Sequence, residues 1–282
     1  DITMGINTII RGDDHIMNTP KQILLYQALE SPLPLFGHVP MVLGSDRSRL
    51  SKRHGAMSVT AYREMGYLPD AFINYLARLG WSYGDQEFFT RTELVEKFSL
   101  ENIGRSAGIF DTDKLLALNA EHIMAQPPQD LVKPLAPFFK TQGYDIQPGA
   151  FIESVIKTLQ PRSKTLKDMA ADALFYFRDT IDYEEKAARK FLKPAAQEPM
   201  QLLGVELENI EDFSEATLED AFKTVMQKTG LKLGKIAQPV RVALTGRTAS
   251  PGIFEIIEII GKEKVIDRLK RAVEYIENQQ KE

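Results

Sequence analysis

The sequence predicts a mostly α-helical protein that opens with a short α/β piece. Three observations carry this. Thr8–Ile10 and Val39–Leu43 read as short strands on either side of an apolar helical stretch, Lys21–Leu29, the strand–helix–strand order of an α/β sheet. From residue 46 onward the apolar residues recur at helical spacing. The chain has 282 residues, 43% hydrophobic and 26% charged, enough to build real cores in about two domains.

In order along the chain, Thr8, Ile9 and Ile10 are expected as a buried strand, followed by the polar run Arg11-Gly12-Asp13-Asp14-His15. Thr19 is expected as a helix N-cap with Pro20 at the first helical position, where its missing N–H costs nothing. The helix should bury Ile23, Leu24 and Leu25 and stop before Pro32. The second strand has Pro40 near its start. Three elements cannot close a doubly wound sheet alone, so these strands are expected to pair elsewhere or to need chain upstream. Pro69 opens a helix with an expected buried face of Phe72, Ile73, Leu76 and Leu79, and Gly80 stands at its exit. Thr90 and Glu93 form a candidate capping box ahead of Leu94–Phe98. Leu115, Leu116 and Leu118 mark another short helix.

Gln126-Pro127-Pro128 is a break in composition, and beyond it only helices are expected. These cover Leu131–Phe139, Phe151–Leu159, Leu166–Phe177 and Ala216–Lys228, the last closed by Gly230. Ser250 and Pro251 open one through Ile260, and the final helix from Lys262 should bury Val265, Leu269, Val273 and Ile276. Lys193–Pro199 reads as a loop and a second boundary. Trp81 reads as a packed aromatic at a helix exit, and Phe175, Tyr176 and Phe177 as core and its edge.

Composition excludes several classes. No run approaches the roughly 18 apolar residues of a membrane span, and no signal-peptide pattern is present. There are no cysteines, so disulfides and cysteine-based zinc sites are impossible here, and the four histidines lie far apart. A cytoplasmic setting fits. The net charge of −4 argues against a non-specific nucleic-acid binder, although it leaves room for a local basic face.

Three patterns bear on chemistry. Arg47-Ser48-Arg49-Leu50-Ser51-Lys52-Arg53 interleaves cations with hydroxyls, a composition that can grip a polyphosphate; a solvated basic loop is the alternative. Ile10-Arg11-Gly12-Asp13-Asp14-His15 follows a strand, where α/β sheets bind ligands, and Arg11 there can hold a carboxylate in two-pronged fashion; the alternative is a surface arginine paired with Asp13 or Asp14. Two windows carry basic residues and no acidic one: Lys157, Arg162, Lys164 and Lys167, then Lys223, Lys228, Lys232, Lys235, Arg241 and Arg247. They suit faces that meet a phosphate backbone, or ordinary solvated helix surface.

Taken together, the motifs resemble a known family. Arg49-Leu50-Ser51-Lys52-Arg53 after Val42-Leu43-Gly44 is similar to the KMSKS signature of class I aminoacyl-tRNA synthetases, and Leu-Ser-Lys-Arg-His-Gly to its glutamyl form. Met4-Gly5-Ile6, Ile10–His15, Asn18–Gln22, Gly66–Pro69, Asn74–Leu76, Leu79–Ser82, Phe110-Asp111 and Lys114-Leu115 agree in order and spacing. Ala243–Gly246 and Ser250–Gly252 resemble the bacterial glutamyl enzyme's helical anticodon-binding region. The resemblance spans essentially the whole chain.

The resemblance implies a C-terminal piece of a Rossmann-like catalytic domain (1–45), the KMSKS loop and a helical stem-contact domain (46–125), and two anticodon-binding helical subdomains (126–198 and 199–282). It implies ATP and Mg2+, the latter brought with ATP and with no zinc site, and L-glutamate and tRNA(Glu) as partners of a monomer. Lys52, Ser51, Arg53 and Arg49 match the catalytic loop. Lys52 contacts ATP phosphates, and the backbone at Val42 and Leu43 lies against adenine. Arg11, with Asp14 and His15, forms the glutamate pocket. Arg162, Lys164, Arg241 and Arg247 are expected to meet tRNA.

The sequence departs from the family in three ways. The first signature, an H-I-G-H-type loop, and the acceptor-stem insertion are not found, and Arg49 stands where lysine is usual. The chain is therefore expected to be a C-terminal portion that cannot activate glutamate alone. A glutaminyl-type enzyme would carry β-barrels in its C-terminal half. A base-modifying paralogue would lack the helical tail. A non-catalytic helical RNA-binding module is the remaining alternative.

Overall fold

The computed structural model describes residues 1–51 and 58–280. Its contacts divide the chain into two compact units: 1–125 with 164–166, and 126–163 with 167–282.

The first unit begins as a β–α–β piece. Strand β1 (Thr8–Gly12) leads through a 3-10 turn (Asp13–Asn18) into α1 (Thr19–Ala28), and β2 (Leu35–Val39) returns parallel to β1. The register sets Arg11 beside His38. The strand expected over Val39–Leu43 is divided. Pro40, which lacks an N–H for a ladder, separates β2 from β3 (Val42–Leu43), and β3 pairs parallel with β4 (Gly108–Ile109) in a different sheet. A Cβ at residue 108 would overlap the Leu79 carbonyl, so glycine permits the approach that seats β4.

Three expectations for this piece are corrected. β1 is not buried, and Ile10 is 54% exposed. On α1 only Tyr26 is buried, while Leu24 and Leu25 are exposed, because no element among the described residues of the first unit covers that face. The N-cap is Asn18, one residue before the expected Thr19.

The rest of the first unit is helical: α2 (Val59–Glu64), α3 (Pro69–Arg78), α4 (Arg91–Lys97) and α5 (Thr112–Ala125). Its main core joins Tyr62, Tyr67, Tyr75, Phe110, Leu115 and Leu118, and a second cluster joins Trp81, Phe89 and Leu94. Helix α3 is rotated from the expected face. Ala71, Asn74 and Tyr75 are buried, whereas Ile73 and Leu76 are exposed. The polar Asn74 faces inward because its amide is fully used: Oδ1 accepts from Phe89 N–H at 2.8 Å and contacts His122 Nε2 at 3.0 Å, and Nδ2 donates to Glu87 O at 3.0 Å. Asn119 likewise accepts from Leu68 N–H at 2.8 Å and donates to Lys164 O at 2.7 Å. The capping box forms as the sequence predicts, Thr90 Oγ1 accepting from Glu93 N–H and Glu93 accepting from Thr90 N–H. Donation to its carboxylate from the Thr90 N–H, and next from the Thr90 hydroxyl, holds the Glu93 carboxyl down at about 2.

The second unit contains α6 (Pro128–Thr141), α7 (Ala150–Leu159), α8 (Leu166–Phe177), α9 (Glu185–Phe191), α10 (Pro194–Glu208), α11 (Glu215–Thr229), α12 (Leu233–Thr245), α13 (Ile253–Ile260) and α14 (Lys262–Gln279). The expected loop over Lys193–Pro199 is helical instead. Pro194 sits in the first turn of α10, and Pro199 lies only one turn further in. No strand follows Ile109 among the described residues, so the strand-rich tail of the glutaminyl alternative is not there. The inner face of α14 includes Val265, Leu269, Val273 and Ile276 as expected, and also Arg268, which is 1% exposed. Arg268 donates to Leu244 O at 2.7 Å, to Phe175 O at 2.8 Å and to Arg178 O. One guanidinium thereby satisfies carbonyls at the ends of α8 and α12 that have no intrahelical partner.

Candidate functional site

In the first unit the residues after β1 and after β3 form one polar site. The parallel register delivers Arg11 at the carboxyl end of β1, and local bonds then hold its guanidinium. Nη2 donates to Thr19 Oγ1 at 2.9 Å and to Gln22 Oε1 at 2.6 Å, Nε approaches His38 Nε2 at 3.5 Å, and Phe36 lies beneath with its centroid 5.7 Å away. His38 Nε2 also meets Thr19 Oγ1 at 3.0 Å. Arg11 is thus half-buried and aimed by a strand and a helix start, and among the described residues no carboxylate pairs with it. Its guanidinium is left open to an anion. The surface pairing of Arg11 with Asp13 or Asp14 is not what the structure has.

Asp14 instead faces the basic loop. Arg49 Nη1 lies 3.2 Å from Asp14 Oδ2, and His15 Nε2 is 3.9 Å from Asp14 Oδ1. Tight backbone bonds place Arg49: Gly44 N–H donates to Ser48 O at 2.8 Å and Leu50 N–H to Val42 O at 3.0 Å. Leu43 O accepts from Phe110 N–H at 2.8 Å, so the carbonyls of Val42 and Leu43 each already hold one donor. Ser51 is half-buried. Lys52 and Arg53 lie outside the described residues.

The sequence assigns no binding role to His38, Thr19 or Gln22. The β1–β2 register would have found His38, while Thr19 and Gln22 are one helical turn apart on α1. Among the described residues no group of three or more His, Asp or Glu is placed to hold a metal ion. No described helix is long and apolar enough to cross a membrane.

The second unit brings Arg162 of one basic window together with Arg241 and Arg247 of the other. Arg162, in the 3-10 turn after α7, donates to Ser250 O at 2.8 Å; Arg241, on α12, donates to the same oxygen at 3.2 Å and also to Ser250 Oγ and Pro251 O. Among the described residues neither forms an ion pair with a carboxylate. Burial pushes the Arg241 guanidinium down from its ordinary value, and the neighbouring Arg162 charge adds to that. Arg162 is exposed on a cavity of about 300 Å³ that Phe175, Thr248 and Ser250 also line. Arg247 lines it too, but is neutralised by Asp172 at 2.7 Å and Glu184 at 3.4 Å. Arg241 stands behind this cavity as the support of the Ser250–Pro251 turn. Lys164 belongs to the first unit, where its carbonyl serves Asn119.

Residues 1–117 match the family model described as tRNA synthetases class I (E and Q), catalytic domain, and residues 130–273 match the anticodon binding domain. These two matches place the chain with the class I tRNA synthetases of the glutamyl and glutaminyl branch. Within that branch, the chain belongs to the glutamate–tRNA ligase family. It is 61% identical over 276 residues to a glutamate–tRNA ligase of Desulfosudis oleivorans, covering 98% of this chain and 59% of the relative. A glutamate–tRNA ligase of Syntrophobacter fumaroxidans is 55% identical, covering 99% of this chain and 60% of the relative. The chain therefore spans about 59% of the length of the relatives it matches. The crystal structure of a glutamate–tRNA ligase from Elizabethkingia meningosepticum, in complex with its amino acid, superposes with a TM-score of 0.84 at 26% identity, covering 97% of this chain and 58% of that one.

Proposed function

We propose that, within the intact protein, this chain serves the ATP-dependent ligation of L-glutamate to tRNA(Glu) through a glutamyl-adenylate. The observation that carries the reading is Arg11: a guanidinium aimed by Thr19 and Gln22, left without a carboxylate of its own, at the carboxyl end of a parallel strand. It holds the substrate's carboxylate, with Asp14 and His15 at the rim. The α-carboxylate of glutamate attacks the α-phosphorus of ATP, pyrophosphate leaves, and a hydroxyl of the terminal tRNA adenosine then attacks the acyl carbon and releases AMP. ATP lies along β3 at Val42 and Leu43. The loop that Arg49 leads into, with Ser51, Lys52 and Arg53, supplies positive charge where negative charge develops. Magnesium, when bound with ATP, offsets charge on the phosphates.

In the second unit Arg162 is the tRNA-facing cation, reading the anticodon arm from the mouth of its cavity. Arg241 supports that reader through the Ser250 turn, and Lys164 and Arg247 add flanking charge. Residues 1–45 complete the catalytic domain, 46–125 carry the loop and the stem-contact helices, and 126–198 and 199–282 form the anticodon-binding body of a monomer.

The test is glutamate-dependent ATP–pyrophosphate exchange by the full-length protein. Arg11→Ala should raise the KM for glutamate at least tenfold, the scale of one lost charge-assisted pair, with the KM for ATP nearly unchanged. An unaltered glutamate KM would remove Arg11 from this role.

A further inference from the structure

We propose that Asp14 is a positioning residue that seats the basic loop by holding Arg49, and that Arg49 acts as the loop's anchor and not as a phosphate ligand. The proposal rests on the glutamate-activating reading above and assigns a division of labour within that site.

Two segments distant in sequence meet in this ion pair. On the loop side, Arg49 forms an antiparallel bridge with Leu43, the bonds from Gly44 and Leu50 close the turn around it, and Arg47 takes a left-handed φ of 61° to complete that turn. The backbone of Arg49 is therefore placed before its side chain makes any contact. On the acidic side, Asp14 sits in the 3-10 turn immediately after β1, and its carboxylate folds back over Gly12. A Cβ on residue 12 would stand 2.6 Å from Asp14 Oδ1, so the carboxylate occupies space that a side chain at 12 would take. Between the two, Arg49 Nη1 meets Asp14 Oδ2 at 3.2 Å. The contact ties the turn after β1, which carries Arg11, to the turn after β3, which leads into the loop. Glutamate and ATP sites that must cooperate are thereby held in register. Asp14 does not serve Arg11, whose Nη2 is held by Thr19 and Gln22.

The experiment is a double-mutant cycle in the full-length enzyme, with Asp14→Asn, Arg49→Gln and the pair together, reading the KM for ATP and for glutamate in pyrophosphate exchange. Each single substitution should raise the KM for ATP by about three- to fivefold, the range of one partly exposed ion pair, and raise the KM for glutamate by less. The double variant should be no worse than either single one. The effect should shrink in high salt, which screens an exposed pair. Gly12→Ala, which displaces the Asp14 carboxylate without changing charge, should reproduce the ATP effect. The proposal is overturned if the two substitutions add, if Asp14→Asn acts on the glutamate KM more than on the ATP KM, or if it leaves the ATP KM unchanged or lowers it by freeing Arg49 for phosphate. A wild-type enzyme with no glutamate-dependent exchange would overturn the functional reading itself and not the pairing.

Discussion

Arg162 and Arg241, on different elements of the second unit, both donate to the carbonyl oxygen of Ser250, at 2.8 and 3.2 Å. Two like charges share one acceptor with no carboxylate between them among the described residues. Such an arrangement favours an anion, yet the two arginines differ in exposure and so in consequence. Arg162→Glu should weaken binding of tRNA and flatten its salt dependence by about one ion's worth of slope, with little change in thermal stability. Arg241→Ala should instead destabilise the fold by about 1–3 kcal/mol, the scale for hydrogen bonds to a charged group. Thermal melting alongside tRNA titrations at several salt concentrations separates the two. Equal effects of both substitutions on melting would contradict the assignment.

Arg268 predicts a different signature. Its guanidinium is buried and satisfies three carbonyls near the ends of α8 and α12. Arg268→Leu removes all three donors and leaves those oxygens buried, which should cost about 3 kcal/mol or more. Arg268→Lys keeps the charge but has no planar fork, and should recover only part of the loss. Denaturant unfolding measures both.

His122 predicts a pH dependence. It is buried against Phe88 with Nε2 on Asn74 Oδ1, and burial holds its pKa below the ordinary 6.5, the charge of Asp70 opposing this only in part. Between that lowered value and 6.5 the unfolded chain takes up a proton that the folded chain refuses. This contribution is therefore fully present above 6.5 and is lost as the pH falls through the window below it. Replacement of His122 by Gln should flatten the decline of melting temperature between about pH 6.5 and 5, set by the ordinary histidine range. An identical slope in both proteins would refute the role.

Lys52 carries the loop chemistry in the proposed reaction. Lys52→Ala in the full-length enzyme should lower adenylate formation by a factor on the order of 10²–10³, the scale for losing one preorganised stabiliser. The 282 residues alone, which lack an H-I-G-H-type sequence, should show no glutamate-dependent exchange. Exchange at the wild-type rate in the Lys52 variant would exclude that residue.

Much of the fold is legible where local physics decides it. The bounds of α8, the capping box of Thr90 and Glu93, the left-handed Gly230 after α11 and the buried stripe of α14 follow from apolar period, cap chemistry and glycine's access to positive φ. What misled were positions judged by hydrophobicity alone. Leu24 and Leu25 of α1 are exposed, and α3 turns Asn74 inward in preference to Ile73. Pro199 reads as a breaker but lies within α10.

By itself the sequence determined the mostly helical class, the α/β opening, the family and the residue types that can bind anions, because these depend on pattern and on side-chain chemistry. Only the tertiary structure decided which cations are free to act. Thr19 and Gln22 aim Arg11, Asp14 engages Arg49, Arg247 is neutralised by Asp172 and Glu184, and Arg241 supports the turn beside the exposed Arg162. Each of these depends on segments distant in the chain meeting within a few ångströms. Charge and hydrogen bonding act over that range in space, whatever the separation in sequence.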